Sequence, residues 1–116
     1  MKFTCSRTDL SNAVTCVQRA VATKASTPSL EGILIKAYDS NLNLSGYDLE
    51  IGITTELEVQ IDTEGEIVVS AKLFGDIIRK LPEEVVTIET DERMVTYITS
   101  GNASYQIVGL SAAEYP

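Results

Sequence analysis

At 116 residues, with 44% apolar and 22% charged side chains, the chain has the size and composition of one folded domain and excludes a disordered polymer. No apolar run is long enough to span a bilayer, and the opening Met1-Lys2-Phe3-Thr4-Cys5-Ser6-Arg7 lacks the apolar stretch of a secretory signal, so no membrane association is expected and the cytoplasm is the expected address. The absence of histidine removes the commonest general base and metal ligand, and a net charge of −8 argues against a polyanionic partner unless the charges are segregated.

Residues 1 to 6 alternate as a short strand, and Thr8 offers an N-cap hydroxyl with Asp9 in the first turn behind it. Leu10, Ala13, Val14, Val17, Ala20 and Val21 then recur at helical spacing, which predicts an amphipathic helix ending near Ala22 with Asn12, Thr15 and Arg19 on its wet side. Cys5 and Cys16 have no CxxC spacing; both read as small buried hydrophobes, and neither a metal nor a cofactor is expected. Thr23 to Ser29 is a polar loop interrupted by Pro28.

From Gly32 the period changes to two. Ile33, Ile35 and Ala37 alternate with Leu34, Lys36 and Tyr38, and Asp39-Ser40-Asn41 supplies a turn before Leu42 and Leu44, which makes a hairpin. After Gly46-Tyr47-Asp48, a strict alternation from Ile51 to Ile61 predicts one half-buried strand, and Gly65 introduces Ile67-Val68-Val69. A second helix is predicted from about Lys72 to Leu81, with Leu73, Phe74, Ile77, Ile78 and Leu81 inward and Pro82 as its stop. Strands follow over Val85 to Thr90, Met94 to Thr99 and Ala103 to Val108, and Gly109 to Pro116 is an exit segment. The order strand, helix, three strands thus occurs twice. The economical packing is an α+β domain spanning 1–116, with two helices on one side and two antiparallel sheets on the other.

The charges are segregated along this plan. Residues 7 to 24 and 72 to 81 carry six of the nine basic residues and two of the seventeen acids, a net +4, leaving −12 for the strands, turns and tail. Lys72 and Arg79, at i and i+7, share one side of the second helix, with Gly75 between them allowing close approach. Such a stripe suits sequence-independent, salt-dependent contact with phosphates, although a basic helix face is also ordinary solvated surface. Lys36 and Arg93 read as solubility charges.

Five stretches, in order along the chain, resemble the bacterial DNA polymerase sliding clamp, the beta subunit of the replicative polymerase, in its amino-terminal domain. They are Met1-Lys2-Phe3-Thr4, the loop from Lys24 to Leu30 with Thr27-Pro28, the turn Gly46-Tyr47-Asp48-Leu49-Glu50, the helix from Ala71 to Pro82, and the ending Gly109-Leu110-Ser111-Ala112-Ala113-Glu114-Tyr115-Pro116. The resemblance implies a DNA-clamp fold and a processivity factor rather than an enzyme. It implies a subunit of three such domains, of which this chain is about one third, closing head to tail with a second subunit as a homodimer ring around double-stranded DNA. Replicative polymerase and clamp loader would bind through domains outside this chain.

Carried over by position, the resemblance places DNA-facing side chains at Lys24, Lys72, Arg79 and Lys80, and a dimer edge at Ser104, Tyr105, Gln106 and Ile107. The family often has arginine at the positions of Lys24 and Lys72, so here a point charge replaces a bidentate fork. Two other readings stand beside this one: a hot-dog-type enzyme working through Asp48 and Glu50, and a protein-interaction module that uses its open sheet edges and never meets DNA.

Overall fold

A computed structural model describes residues 1–22 and 28–116. The chain runs β1 (Lys2–Ser6), α1 (Arg7–Gln18), a 3-10 turn (Pro28–Glu31), β2 (Gly32–Tyr38), β3 (Asn41–Tyr47), β4 (Gly52–Glu58), β5 (Gln60–Thr63), β6 (Gly65–Ser70), α2 (Ala71–Lys80), β7 (Val85–Thr90), β8 (Val95–Ser100), β9 (Ala103–Val108) and a closing 3-10 turn (Ala112–Glu114).

The helices begin alike. Ser6 and Ser70 are their N-caps, each side-chain oxygen accepting a bond at 3.2 Å from the backbone N–H three residues on, that of Asp9 in α1 and Leu73 in α2. The first helix therefore starts two residues before the expected Thr8 cap. Thr8 is occupied otherwise: its backbone N–H and its hydroxyl both donate to the Glu84 carboxylate, at 3.0 Å each. At the other end α1 stops at Gln18, short of Ala22, and single turns carry the chain through Ala20 and Val21 with Ala20 still buried.

The two sheets exchange strands between the repeats. One has the order β5-β1-β7-β8-β9 and the other β4-β3-β2-β6, all antiparallel. The first strand of each half, β1 or β6, thus lies beside the strands of the other half. The chain also crosses over after the last strand of each half. After β4, residues 60–63 pair with the free edge of β1; after β9, Leu110 exchanges two backbone hydrogen bonds with Val68 of β6. This explains one departure from the sequence pattern: the alternation from Ile51 to Ile61 is unbroken, but the strand divides at Val59 and its parts join different sheets.

One core fills the space between helices and sheets. Leu10, Ala13, Val14 and Val17 of α1 and Phe74 and Ile78 of α2 meet Phe3, Ile33, Ile35, Leu42, Leu44, Ile67, Val69, Val86, Ile88 and Ile98 from the strands. Leu73, expected inward, is 53% exposed, because Phe74, Ile77, Ile78 and Leu81 already form the contact stripe of α2. The hairpin β2–β3 turns at Asp39 and Ser40, whose φ values of 53° and 64° fit a two-residue primed turn. Gly46 lets β3 pass close to α1, since a Cβ there would lie 2.5 Å from the carbonyl oxygen of Val17.

Candidate nucleic-acid interface

The two helices lie against each other, and one side chain ties their outer faces together. The guanidinium of Arg79 donates through Nη2 to Oε1 of Gln18 at 2.5 Å and to Oγ1 of Thr15 at 3.4 Å, both on α1. It lies back over Gly75, where an added Cβ would meet Nη1 of Arg79 at 2.9 Å and Oε1 of Gln18 at 3.0 Å. The missing side chain at Gly75 is what admits this position. Gln18 extends the tie by donating Nε2 to the carbonyl of Ala71 at 3.3 Å.

Asp76 lies between the two cations of the α2 stripe. Its Oδ2 is 3.6 Å from Nζ of Lys72 and its Oδ1 is 3.6 Å from Nη1 of Arg79, pairs at i, i+4 and i, i+3 spacing. Lys72 projects freely, with its side chain 86% exposed, whereas that of Arg79 is 40% exposed against α1. Lys80 is exposed at the end of the helix. Lys72, Arg79 and Lys80 therefore occupy one helix and two of them one face, with the Arg79 guanidinium directed at α1. Lys24 falls outside the described residues.

A groove of about 300 Å³ runs between the helices, lined by Arg7, Thr8, Ser11, Asn12, Ile78 and Arg79. Of its lining residues, Arg7 is held by Nη1 donating to the carbonyl of Leu81 at 2.5 Å and by Nη2 lying 3.6 Å from Glu84. Glu84 is the hub there. The Ser6 hydroxyl at 2.6 Å, then the amide and hydroxyl of Thr8, and lastly the Arg7 charge hold its carboxyl well below the usual range, at about 2. Glu84 sits 76 residues from Thr8, so no local pattern announces it. Asp76 was within reach of spacing rules, because a carboxylate four after a lysine and three before an arginine faces both. Gln18 and Thr15 are recognisable only once the helices are side by side.

The second candidate region is β9. It is an edge strand, paired on one side with β8, so its other edge presents unpaired backbone groups. Tyr105 and Ile107 are half-buried and pack on the core, while Ser104, Gln106 and Val108 are exposed.

Asp48 has a structural task. Its Oδ1 accepts from the backbone N–H of Ile51 at 2.8 Å and of Glu50 at 2.9 Å, and these bonds lower its pKa. A carboxylate fixed in its ionised form as a turn brace is poorly suited to be the base of a hot-dog-type enzyme. Cys5 and Cys16 are half-buried, not buried as expected; Cys5 packs against the margin of the core, and burial, with Asp9 adding to it, pushes its thiol up to about 12, in keeping with an inert side chain. Among the described residues no group of His, Cys, Asp and Glu has metal-binding geometry, and no helix is long and apolar enough to cross a membrane.

Residues 1–116 match the family model described as the DNA polymerase III beta subunit, N-terminal domain. The chain is similar over its whole length to the beta sliding clamps of Bacillus subtilis, at 36% identity and 33% of that protein, and of Synechococcus elongatus, at 34% identity and 32%. It superposes on the crystal structure of the DNA polymerase sliding clamp from B. subtilis with a TM-score of 0.97, at 36% identity over all of this chain and 33% of that one. For the sliding clamp from Caulobacter crescentus the TM-score is 0.94, at 31% identity over all of this chain and 32% of that one. The chain spans about a third of the length of these relatives.

Proposed function

Because the chain belongs to the family of the DNA polymerase III beta subunit, N-terminal domain, we propose that it serves as one segment of a ring-shaped sliding clamp. The ring encircles duplex DNA without reading its sequence and tethers the replicative polymerase. The role is that of a non-catalytic processivity factor in the cytoplasm, with a second subunit closing the ring head to tail. Polymerase and clamp loader engage parts of the subunit beyond this chain.

The observation that carries this reading is the cation stripe on the outer side of α2, where Arg79 reaches across to α1 and Lys72 projects into solvent, in a domain whose surplus of acids lies on its strands and turns. Lys24, Lys72, Arg79 and Lys80 are the DNA-contacting side chains in this proposal. Cations on long stems attract the phosphate backbone without base-edge geometry, which suits a partner that must move along any sequence. At the subunit boundary, the open edge of β9 continues its sheet into the neighbouring subunit through backbone pairing. Ser104 and Gln106 lie at the rim of that contact, and Tyr105 and Ile107 support it from the core side.

The salt dependence of DNA affinity tests the proposal. Four cations neutralising about three or four phosphates give a log–log slope near about −3, from about −0.9 per phosphate on duplex DNA. In the full-length protein, Lys72→Ala combined with Arg79→Ala should make the slope shallower by about 1.8 for each copy of the domain in contact with DNA. Retention on DNA that ignored both salt and this double substitution would remove the DNA-facing role and favour a protein-interaction module.

A further inference from the structure

The pairing of Asp76 with both Lys72 and Arg79 does nothing for a surface whose only task is to hold phosphate tightly. A carboxylate within 3.6 Å of each cation competes with DNA for the same donors and repels the phosphates that approach them. Its position is central, since Lys72 and Arg79 stand about 10.5 Å apart along the helix axis, at 1.5 Å per residue, and Asp76 reaches both. The pairs are also easily opened. The Lys72 side chain is 86% exposed, so little holds it to Asp76 beyond a screened attraction.

We infer that Asp76 is a grip-limiting residue for this DNA-facing surface: a built-in carboxylate to which Lys72 and Arg79 return whenever a phosphate leaves, which keeps each DNA contact weak and exchangeable. The inference rests on the DNA-contact reading above and adds a role for an acid that reading leaves unused. A cation passing from phosphate to carboxylate exchanges one oxygen anion for another, so it is never left unpaired as the duplex moves on. Arg79 bonds Gln18 and Thr15 through Nη2 and faces Asp76 through Nη1, so exchange at Nη1 asks no rearrangement of the helix pair. Smooth translocation follows from matched alternatives for each cation.

The test uses the full-length protein carrying this domain and a short fluorescently labelled duplex, read by anisotropy over a salt series, with sliding on long DNA followed by single-molecule tracking. Asp76→Asn is expected to tighten binding about three- to tenfold, the size of freeing two exposed ion pairs, and to slow diffusion along DNA. It should steepen the salt slope by no more than about one, because Lys72 and Arg79 then spend more of their time on phosphate and less on the carboxylate. Asp76→Glu keeps the charge within reach of both cations and should match the parent. Asp62→Asn, an exposed acid on β5, makes the same change in net charge away from the stripe and should do little. Equal effects of Asp76→Asn and Asp62→Asn, or none from Asp76→Asn, would overturn the inference. If the Lys72→Ala, Arg79→Ala protein binds DNA as the parent does, the DNA-contact reading itself falls, and the role of Asp76 with it.

Discussion

Two buried hydroxyls on β8 give a test in which geometry alone sets opposite signs. Thr96 and Ser100 lie on the same face of the strand, 0% and 2% exposed. Ser100 is satisfied twice: its hydroxyl donates to the carbonyl of Glu83 at 2.9 Å and accepts from the backbone N–H of Glu83 at 3.0 Å. Thr96 Oγ1 has no partner, alone among the buried side-chain polar atoms of the described residues. Thr96→Val keeps the shape and the strand preference while removing an unpaired polar atom, whose burial costs about 1–3 kcal/mol. We expect a gain of about 1–2 kcal/mol. Ser100→Ala strands two backbone groups of Glu83, but that residue is exposed and its backbone can partly rehydrate, so the loss should be at the low end, about 1 kcal/mol. With about 4 °C of Tm per kcal/mol for a chain of this size, the two proteins should be separated by about 8–12 °C, with the parent between them. Thermal unfolding followed by circular dichroism, checked by urea titration at constant m-value, measures this. A Thr96→Val protein less stable than the parent would show that the hydroxyl has a partner and that the reasoning is wrong.

Glu84 makes acid stability a second test. Its carboxyl titrates at about 2 in the folded chain against an ordinary 4.5, so its contribution is full above pH 4.5, declines as pH falls below that value and is gone below about 2. Glu84→Gln should flatten the loss of urea resistance across that window while lowering resistance at neutral pH; an unchanged acid limb would mean that the Ser6 and Thr8 bonds do not persist in solution. Gly46→Ala would place a Cβ 2.5 Å from the Val17 carbonyl, a backbone atom that cannot swing aside. A loss of about 1–3 kcal/mol is expected, seen as a lowered denaturation midpoint, and wild-type stability would show that β3 can move off α1 at little cost.

Most of the fold was legible because its signals are local. The period of 3.6 in α2, the period of 2 in β2 through β4 and the Asp39-Ser40 turn each rest on neighbours in sequence. The doubled order of elements could be read the same way. The assignment of strands to sheets could not, since the alternation from Ile51 to Ile61 is identical whether the strand continues or divides at Val59. The start of α1 was misplaced for a related reason: Ser6 and Thr8 are both acceptable caps, and a carboxylate from the far side of α2 decides between them. At the candidate interface, charge segregation pointed to Lys72 and Arg79. The bonds of Arg79 to Gln18 and Thr15 depend on helix packing, and the seat over Gly75 on the absence of a side chain.

The crossing of β1 and β6 into each other's sheets means that neither half of the polypeptide can be finished alone. Cleaved between Thr63 and Gly65, each piece would retain a helix and three paired strands of one sheet, yet hold as loose ends what its counterpart lacks, β1 and β5 on the first piece and β6 on the second. The two pieces should therefore reassemble as a clasped pair, and the intact molecule should melt in one step, because removing either half opens a slot in the other.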